Sequence, residues 1–371
     1  FALWRSLRDP YGREWQNGNS RWDLLDVTRA FRALRPAGIE WPVREDGFTS
    51  FILEDLTAAN GIEHGAAHDA MSDVEATIEI AKLLKHCDDG LFDTLHRQRT
   101  KRTVSGLVNL DELTPLVHVS GMFGGARHNL ALVVPVAWHP KNNSELICVD
   151  LGKAPDFLEQ PTETLRQHLF TRQADLPEDV ERPPIKTIRL NRAPVLLPTH
   201  WVAGEVAESL GLDGDLHRRH LSLLREARAN DPAGFVSRFQ DLWQEQSFPE
   251  WSDPDQLLYD GFVSDGDRSL CDQAIAEDPA ALTSQSLPFA DQRLPEMLFR
   301  YRARNFPDTL NDAETAQWRE HCQLQWQQGS FPLTQFEAEL AEERARPEVT
   351  ETTLTALNQL EEWVRALSVE G

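Results

Sequence analysis

Between Gly106 and Leu197 the chain breaks into short β-like runs, Leu116 to Val119, Leu130 to Trp138, Leu146 to Leu151 and Ile185 to Leu190, separated by Gly, Pro and Asn clusters. On both sides of that block the periodicity is helical. Short runs closed by turn formers pair with near neighbours into a small, mainly β domain, and a helix-period pattern has no place in such a sheet. With 371 residues to distribute, this order of textures divides the chain into more than one domain. Residues 1 to about 88 read helical, and helical texture returns after Pro198.

Before the block, Asp23 to Leu34 places apolar residues at helical spacing and stops before Pro36. A second helix is predicted from about Asp69 to Lys85, with Ala70, Val74, Ile78, Ala81 and Leu84 on one apolar face. After Pro198 helical texture returns at Leu221 to Arg228 and then in long acidic segments. Residues 311–371 hold 12 acidic and 4 basic side chains, a net of −8, which describes a solvated helical surface and not a DNA cradle. No internal repeat or low-complexity segment interrupts this pattern.

Lys and Arg number 37 against 60 Asp and Glu, a formal charge of −23, so the molecule as a whole repels polyanions. Any nucleic-acid contact must come from a local basic patch, and a polybasic binder is excluded. The longest apolar stretches, such as Leu130 to Trp138, fall far short of the roughly 20 residues that cross a bilayer, so no membrane-spanning helix is expected. Cys87, Cys148, Cys271 and Cys322 lie far apart with no Cys-x-x-Cys pair, the pattern of reduced, buried thiols in a cytoplasm. The chain opens Phe1-Ala2-Leu3-Trp4-Arg5 as if already inside a helix, with no initiator Met and no leader, and is expected to be a fragment of a longer protein.

The segment Gly61 to Thr77 combines a Gly/Ala turn with His68 and, at a helix start, Asp73. On one α-helix, residues five apart stand roughly 140° apart, so the two converge only if His68 sits in the loop entering the helix. In that geometry Asp73 holds a divalent metal while His68 takes a proton from a metal-polarised water, the division of labour of phosphodiester hydrolysis. An Asp in a first helical turn beside a surface His explains the same spacing. Tyr11 and Trp15, four apart, can present two aromatic faces to unpaired bases or serve as core aromatics. Basic charge gathers at Arg97, Arg99, Lys101 and Arg102 and again at Lys186, Arg189 and Arg192, stretches that track a phosphate backbone or form a solvated face. The turn His139 to Ser144 needs no function. Ser264-Asp265-Gly266-Asp267 lacks the rest of a calcium loop and reads as a helix cap.

The string His68-Asp69-Ala70-Met71-Ser72-Asp73 within Gly61 to Thr77, together with Asn19 to Val27, Leu116 to Gly124 and Tyr301 to Pro307, strongly resembles bacterial exonuclease I over essentially the whole chain. That family degrades single-stranded DNA from its 3′ end. The resemblance implies an α+β multidomain protein: the C-terminal part of a ribonuclease-H-like exonuclease domain at 1–88, then a Src-homology-3-like β domain at 89–242, then a helical domain at 245–371, together a C-shaped clamp around the strand. It implies that His68 is the general base and Asp73 the last metal-binding carboxylate, and that Tyr11, Trp15, Arg29, Lys101, Ser144 and Lys186 contact DNA. Where the family often has another Arg this chain has Ile52, so one contact is expected to be lost or replaced.

The family's other catalytic carboxylates, an Asp and a Glu on the first strand and a later Asp, belong upstream of Phe1. The parent is therefore expected to be a 3′-to-5′ exodeoxyribonuclease using two Mg²⁺ ions in DNA repair and recombination, a cytoplasmic monomer. Residues 1–371 alone are expected to be inactive, with the apolar faces of the helices at 23–34 and 69–85 left exposed. The implied protein partner is the acidic C-terminal tail of the single-stranded-DNA-binding protein. Arg189, Arg192 and Arg302-Ala303-Arg304, with Phe299, Tyr301 and Phe306, supply the residue types for its pocket, unless the arginines pair with the carboxylates of the acidic domain. The alternatives are a clamp that holds single strands or a partner without cutting and, more weakly, an RNA-directed nuclease.

Overall fold

Side-chain caps set where the helices begin. Asp23 accepts from the Leu25 amide, Asp88 from Leu91, Thr100 from Thr103, Asp213 from Leu216 and Ser264 from Asp267, each satisfying an amide the helix itself leaves unpaired. Ser264 is thus the cap expected of its stretch. The coordinates are a computed structural model. It describes residues 1–63, 70–177, 180–243, 253–282, 287–329, 331–347 and 349–370.

In chain order the helices before the sheet are α1 (Ala2–Arg5), α2 (Gly12–Trp15), α3 (Leu24–Leu34), α4 (Leu53–Ala59), α5 (Ala70–Cys87), α6 (Asp89–Arg97) and α7 (Lys101–Ser105). The strands are β1 (Leu116–Val119), β2 (Leu130–Trp138), β3 (Glu145–Asp150), β4 (Ile185–Arg189) and β5 (Val195–Pro198), with α8 (Thr162–Phe170) between β3 and β4. Then come α9 (Glu205–Ser209), α10 (Gly214–Asn230), α11 (Pro232–Asp241), α12 (Asp265–Ala276), α13 (Leu294–Asn305), α14 (Asp312–Gln328), α15 (Leu333–Arg344) and α16 (Glu351–Glu370). None of the described helices is long and apolar enough to cross a membrane.

Two compact units result: Arg13–Phe248, and Phe1–Gly12 together with Pro249–Gly371. In the first, the strands form one antiparallel sheet in the order β4-β3-β2-β1-β5. The runs at Leu116 to Val119 and Leu130 to Trp138 are strands over the predicted span, and β5 is a strand the four runs singled out above do not include. Pro135 has no amide for the ladder, and the β2–β3 register shifts between Pro135 and Ala137. One sheet face carries Val117, Val119, Leu130, Val195 and Leu197 against Val27, Ala30 and Phe31 of α3, with α5 and α6 packed behind. Farther along, Val134, Val136, Ile147 and Val149 meet α8, α10 and α11. The opposite face buries Val104 of α7 with Leu146, Cys148, Ile188 and Leu190.

Of the two apolar faces expected to be left exposed, the first is covered and the second is open at Val74 and Ile78. Val27, Ala30 and Phe31 are 0% exposed, so the apolar face of residues 23–34 is not left open; the sheet covers it. On α5 the buried line is Ala76, Ile80 and Leu84, while Val74 and Ile78 are 50% and 48% exposed. The helix is apolar on two sides, and periodicity alone does not say which side meets the core.

In the second unit, Trp4 and Leu7 sink into a core with Cys271, Ala274, Leu294, Met297 and Leu298, and the Trp4 indole donates to the Pro254 carbonyl at 2.9 Å. Asn311 and Glu314 form a capping box at the start of α14. Of the described residues of α15 and α16, Leu340 and Val364 are buried; the acidic tail is the solvated helical surface its charge implied.

Candidate nucleic-acid interface

The hairpin between β2 and β3 is shaped by Asn142, whose carbonyl accepts from the Glu145 amide at 3.0 Å and whose Oδ1 accepts from the Ser144 amide at 3.0 Å. The Ser144 carbonyl in turn takes the Leu190 amide at 2.8 Å, fixing the turn to the end of β4. Thr100 starts α7, Val104 anchors it on the sheet, and Lys101 in its first turn reaches across to donate from Nζ to Ser144 Oγ at 2.9 Å. Two residues 43 positions apart thus meet. Arg97, Arg99, Lys101, Arg102 and Arg192 have no carboxylate within ion-pair distance among the described residues; Arg99 instead donates to Ser20 Oγ and to the His96 carbonyl, both at 2.6 Å. Arg189 is held by Glu145 at 3.3 Å.

Four residues before Leu190, Lys186 leaves β4 on the same sheet face, opposite Cys148 in the register. At about 3.3 Å per residue this places it about 13 Å along the strand from the Ser144 turn. Its ammonium lies 4.2 Å from the centre of the Phe123 ring. Beside it, Arg127 donates to both Asp150 oxygens, at 2.5 and 3.0 Å, and has its guanidinium 5.3 Å from the same ring. The edge of Phe123 also meets buried His118 at 5.6 Å between ring centres. Burial holds Lys186 below the ordinary lysine range, against the opposing pull of Asp150 and Asp26, and burial pushes the neighbouring Cys148 thiol up.

Arg29 projects from α3 into the turn after β1. It pairs with Asp26 at 2.6 Å and lies 5.6 Å over Phe51. A Cβ on Gly121 would stand 2.9 Å from the guanidinium, so any larger residue here would push the Arg29 side chain aside. Ile52 is 56% exposed and precedes α4, so an apolar side chain stands at the position for which the resemblance implied a lost or replaced contact. Tyr11 bonds hydroxyl to hydroxyl with Tyr259 at 2.8 Å. Trp15 ends α2, and its side chain lies outside the described residues, as does all of His68. Asp73 sits in the first turn of α5, where the helix N-terminus favours a carboxylate. Among the described residues no group of three or more His, Cys, Asp and Glu gathers to hold a metal ion.

Of the arginines considered for an acidic-tail pocket, Arg189, Arg302 and Arg304 are paired with carboxylates, and Arg192 has none within ion-pair distance among the described residues. Arg300 pairs with Asp253, with Asp255 at 3.2 Å and with Glu296 at 2.9 Å; Arg304 pairs with Asp255. Arg302, with its side chain 4% exposed, pairs with Glu314 and donates to the carbonyls of Leu282 and Thr309. Of the two readings left open by the sequence, pairing with the carboxylates of the acidic unit is the one the structure realises.

Sequence reasoning assigned no role to Phe123, Arg127 or Asp150. Phe123 lay within a motif already noted, but nothing local marks it as the floor beneath Lys186.

The exonuclease I SH3-like domain model matches residues 99–244, and the exonuclease I C-terminal domain model matches residues 252–367. Exodeoxyribonuclease I of Escherichia coli (strain K12) is 44% identical over 320 residues, 86% of this chain and 66% of that protein. Its counterpart in Haemophilus influenzae is 40% identical over 345 residues, 92% of this chain and 71% of that protein. The chain therefore spans about two thirds of the length of these relatives. The zinc-bound crystal form of the E. coli ExoI–ssDNA complex superposes with a TM-score of 0.88 at 40% identity, covering 98% of this chain and 76% of that one.

Proposed function

The chain belongs to the exonuclease I family, and on that premise we propose that the protein is a 3′-to-5′ exodeoxyribonuclease that releases nucleoside 5′-monophosphates from single-stranded DNA during repair and recombination. The observation that supports strand binding most directly is the Lys101–Ser144 contact. A cation with no competing carboxylate among the described residues and a hydroxyl are presented together, about 13 Å from Lys186, on a molecule whose overall charge would repel DNA. A relative solved as an ssDNA complex supports the same reading.

We further assign Tyr11 and Trp15 to base stacking, Arg29, Lys101, Ser144 and Lys186 to the strand, His68 to proton transfer and Asp73 to metal binding, in domains at 1–88, 89–242 and 245–371. Two Mg²⁺ ions would supply the Lewis acidity for phosphodiester cleavage. Among the described residues no group of three or more His, Cys, Asp and Glu gathers to hold such a pair. Residues 1–371 alone are accordingly proposed to be inactive. The single-stranded-DNA-binding protein's tail as partner, a monomeric state and a cytoplasmic location rest on family membership. The same lack of a ligand cluster among the described residues favours a second reading, a clamp that holds strands without cutting.

The test is anisotropy of labelled dT16 against salt with the full-length protein. Lys101→Ala should flatten the plot of log affinity against log salt by about 0.7, one phosphate's worth on a single strand, equally for all sequences. Trp15→Ala should cost about 1–3 kcal/mol with the slope unchanged. Slopes that respond the other way round would reverse these assignments. A full-length protein that binds dT16 yet releases no mononucleotide with Mg²⁺ present would be the clamp.

A further inference from the structure

A cavity of about 370 Å³ opens beside Lys186. Its walls include three rings, Phe123, Phe170 and Trp243, and the cations Arg127, Arg182 and Lys186. The volume is that of a small-molecule site. The carboxylate in the wall, Asp150, has both oxygens occupied by Arg127, so the cavity presents positive charge that is not already neutralised within it. Among the described residues the Lys186 ammonium has no hydrogen-bond or ion-pair partner, although it is half-buried against Phe123. Arg182 spends Nε on the Leu169 carbonyl at 2.9 Å and keeps its terminal nitrogens without a partner among the described residues. An ammonium and a guanidinium so placed are short of an acceptor that the chain does not provide. The apolar side is equally underused. Phe170 is 45% exposed at the rim, its ring edge-on to Trp243 at 5.8 Å, leaving a face toward solvent.

Unsatisfied cations beside the open face of Phe170 suit a ligand that is both anionic and planar. We propose that this cavity is a nucleotide subsite, taking one nucleoside 5′-monophosphate unit with its phosphate on Lys186 and Arg182 and its base against Phe170. The inference rests on the strand-binding reading, which it extends from a line of contacts to a pocket. An acidic peptide would satisfy the cations, but the continuity of the cavity with the Lys186 end of that line favours the nucleotide.

The test titrates deoxyadenosine 5′-monophosphate into the full-length protein by calorimetry at low salt with EDTA, with deoxyadenosine and inorganic phosphate as separate arms. The monophosphate should saturate at least about tenfold more tightly than either half, and Phe170→Ala and Arg182→Gln should each weaken it at least about tenfold, the scale of one lost stacking or charge-assisted contact. Both side chains stand at the surface, so the fold is preserved. Displacement by dT16 would show that the pocket serves a nucleotide of the bound strand, and no displacement that it serves the free mononucleotide; either upholds it. No saturation, saturation unchanged in both variants, or binding of an acidic peptide in place of the monophosphate would overturn it. Lys101-dependent dT16 binding that persists in that case would leave the strand reading standing, whereas its loss would remove the reading itself.

Discussion

Acid should destabilise the β-sheet through His118. The residue is 5% exposed in β1, and its Nδ1 lies 2.9 Å from the Val195 carbonyl of β5, so Nδ1 carries the proton and donates. Phe123 closes the other side, and Lys186 places a positive charge nearby. Burial first, then Lys186, lowers the imidazole from 6.5 to about 3. Because the folded value is depressed, the unfolded chain takes up a proton that the folded one refuses. The stability is whole above pH 6.5 and is lost progressively as the pH falls toward 3. Between pH 7 and pH 5 this one group should cost about 2 kcal/mol, a sizeable part of the roughly 5–15 kcal/mol that holds a domain together. Urea unfolding followed by tryptophan fluorescence at the two pH values measures it. His118→Gln keeps an amide donor for the Val195 carbonyl but does not titrate. Its loss of stability from pH 7 to pH 5 should be about 2 kcal/mol smaller than that of the parent. His139 and His217, also lowered by burial, titrate in both proteins and cancel. Equal acid sensitivity in parent and variant would refute a neutral, buried His118.

Two further outcomes follow from the same reasoning. In the full-length protein, His68→Ala and Asp73→Ala should each slow hydrolysis of single-stranded DNA by at least about 10²-fold in single-turnover assays, the scale of a lost general base; near-normal rates in both would remove their proposed roles. Arg302→Ala should strip Glu314 of its ion-pair partner and destabilise the C-terminal helical unit by about 3–5 kcal/mol, read as a lowered melting temperature. An unchanged melt would mean that Arg302 is available to a ligand after all.

What could be read along the chain was whatever neighbouring residues decide among themselves. The strands Leu116–Val119 and Leu130–Trp138, the stop of α3 before Pro36 and the Ser264 cap each depend on a few consecutive side chains and their backbone. The acidic surface of the last helices follows from composition in the same way. Motif strings carried the family, because four short segments in a fixed order identify it without any knowledge of how they meet. The buried side of α5 was not legible, since Val74 and Ile78 repeat as regularly as Ile80 and Leu84, and the neighbours that choose between them lie elsewhere in the chain. Nor was the setting of Lys186. Phe123, Arg127, Asp150 and Lys186 come together because β3 pairs with both β2 and β4, setting Cys148 opposite Lys186 and Asp150 opposite Val133. Whether Arg300, Arg302 and Arg304 are free or engaged was likewise settled by Asp253, Asp255 and Glu314, which reach them from segments beyond their own helix. Local periodicity encodes which element forms; the partner of each side chain is decided by strand register and helix packing between distant segments, and those are properties of the folded chain.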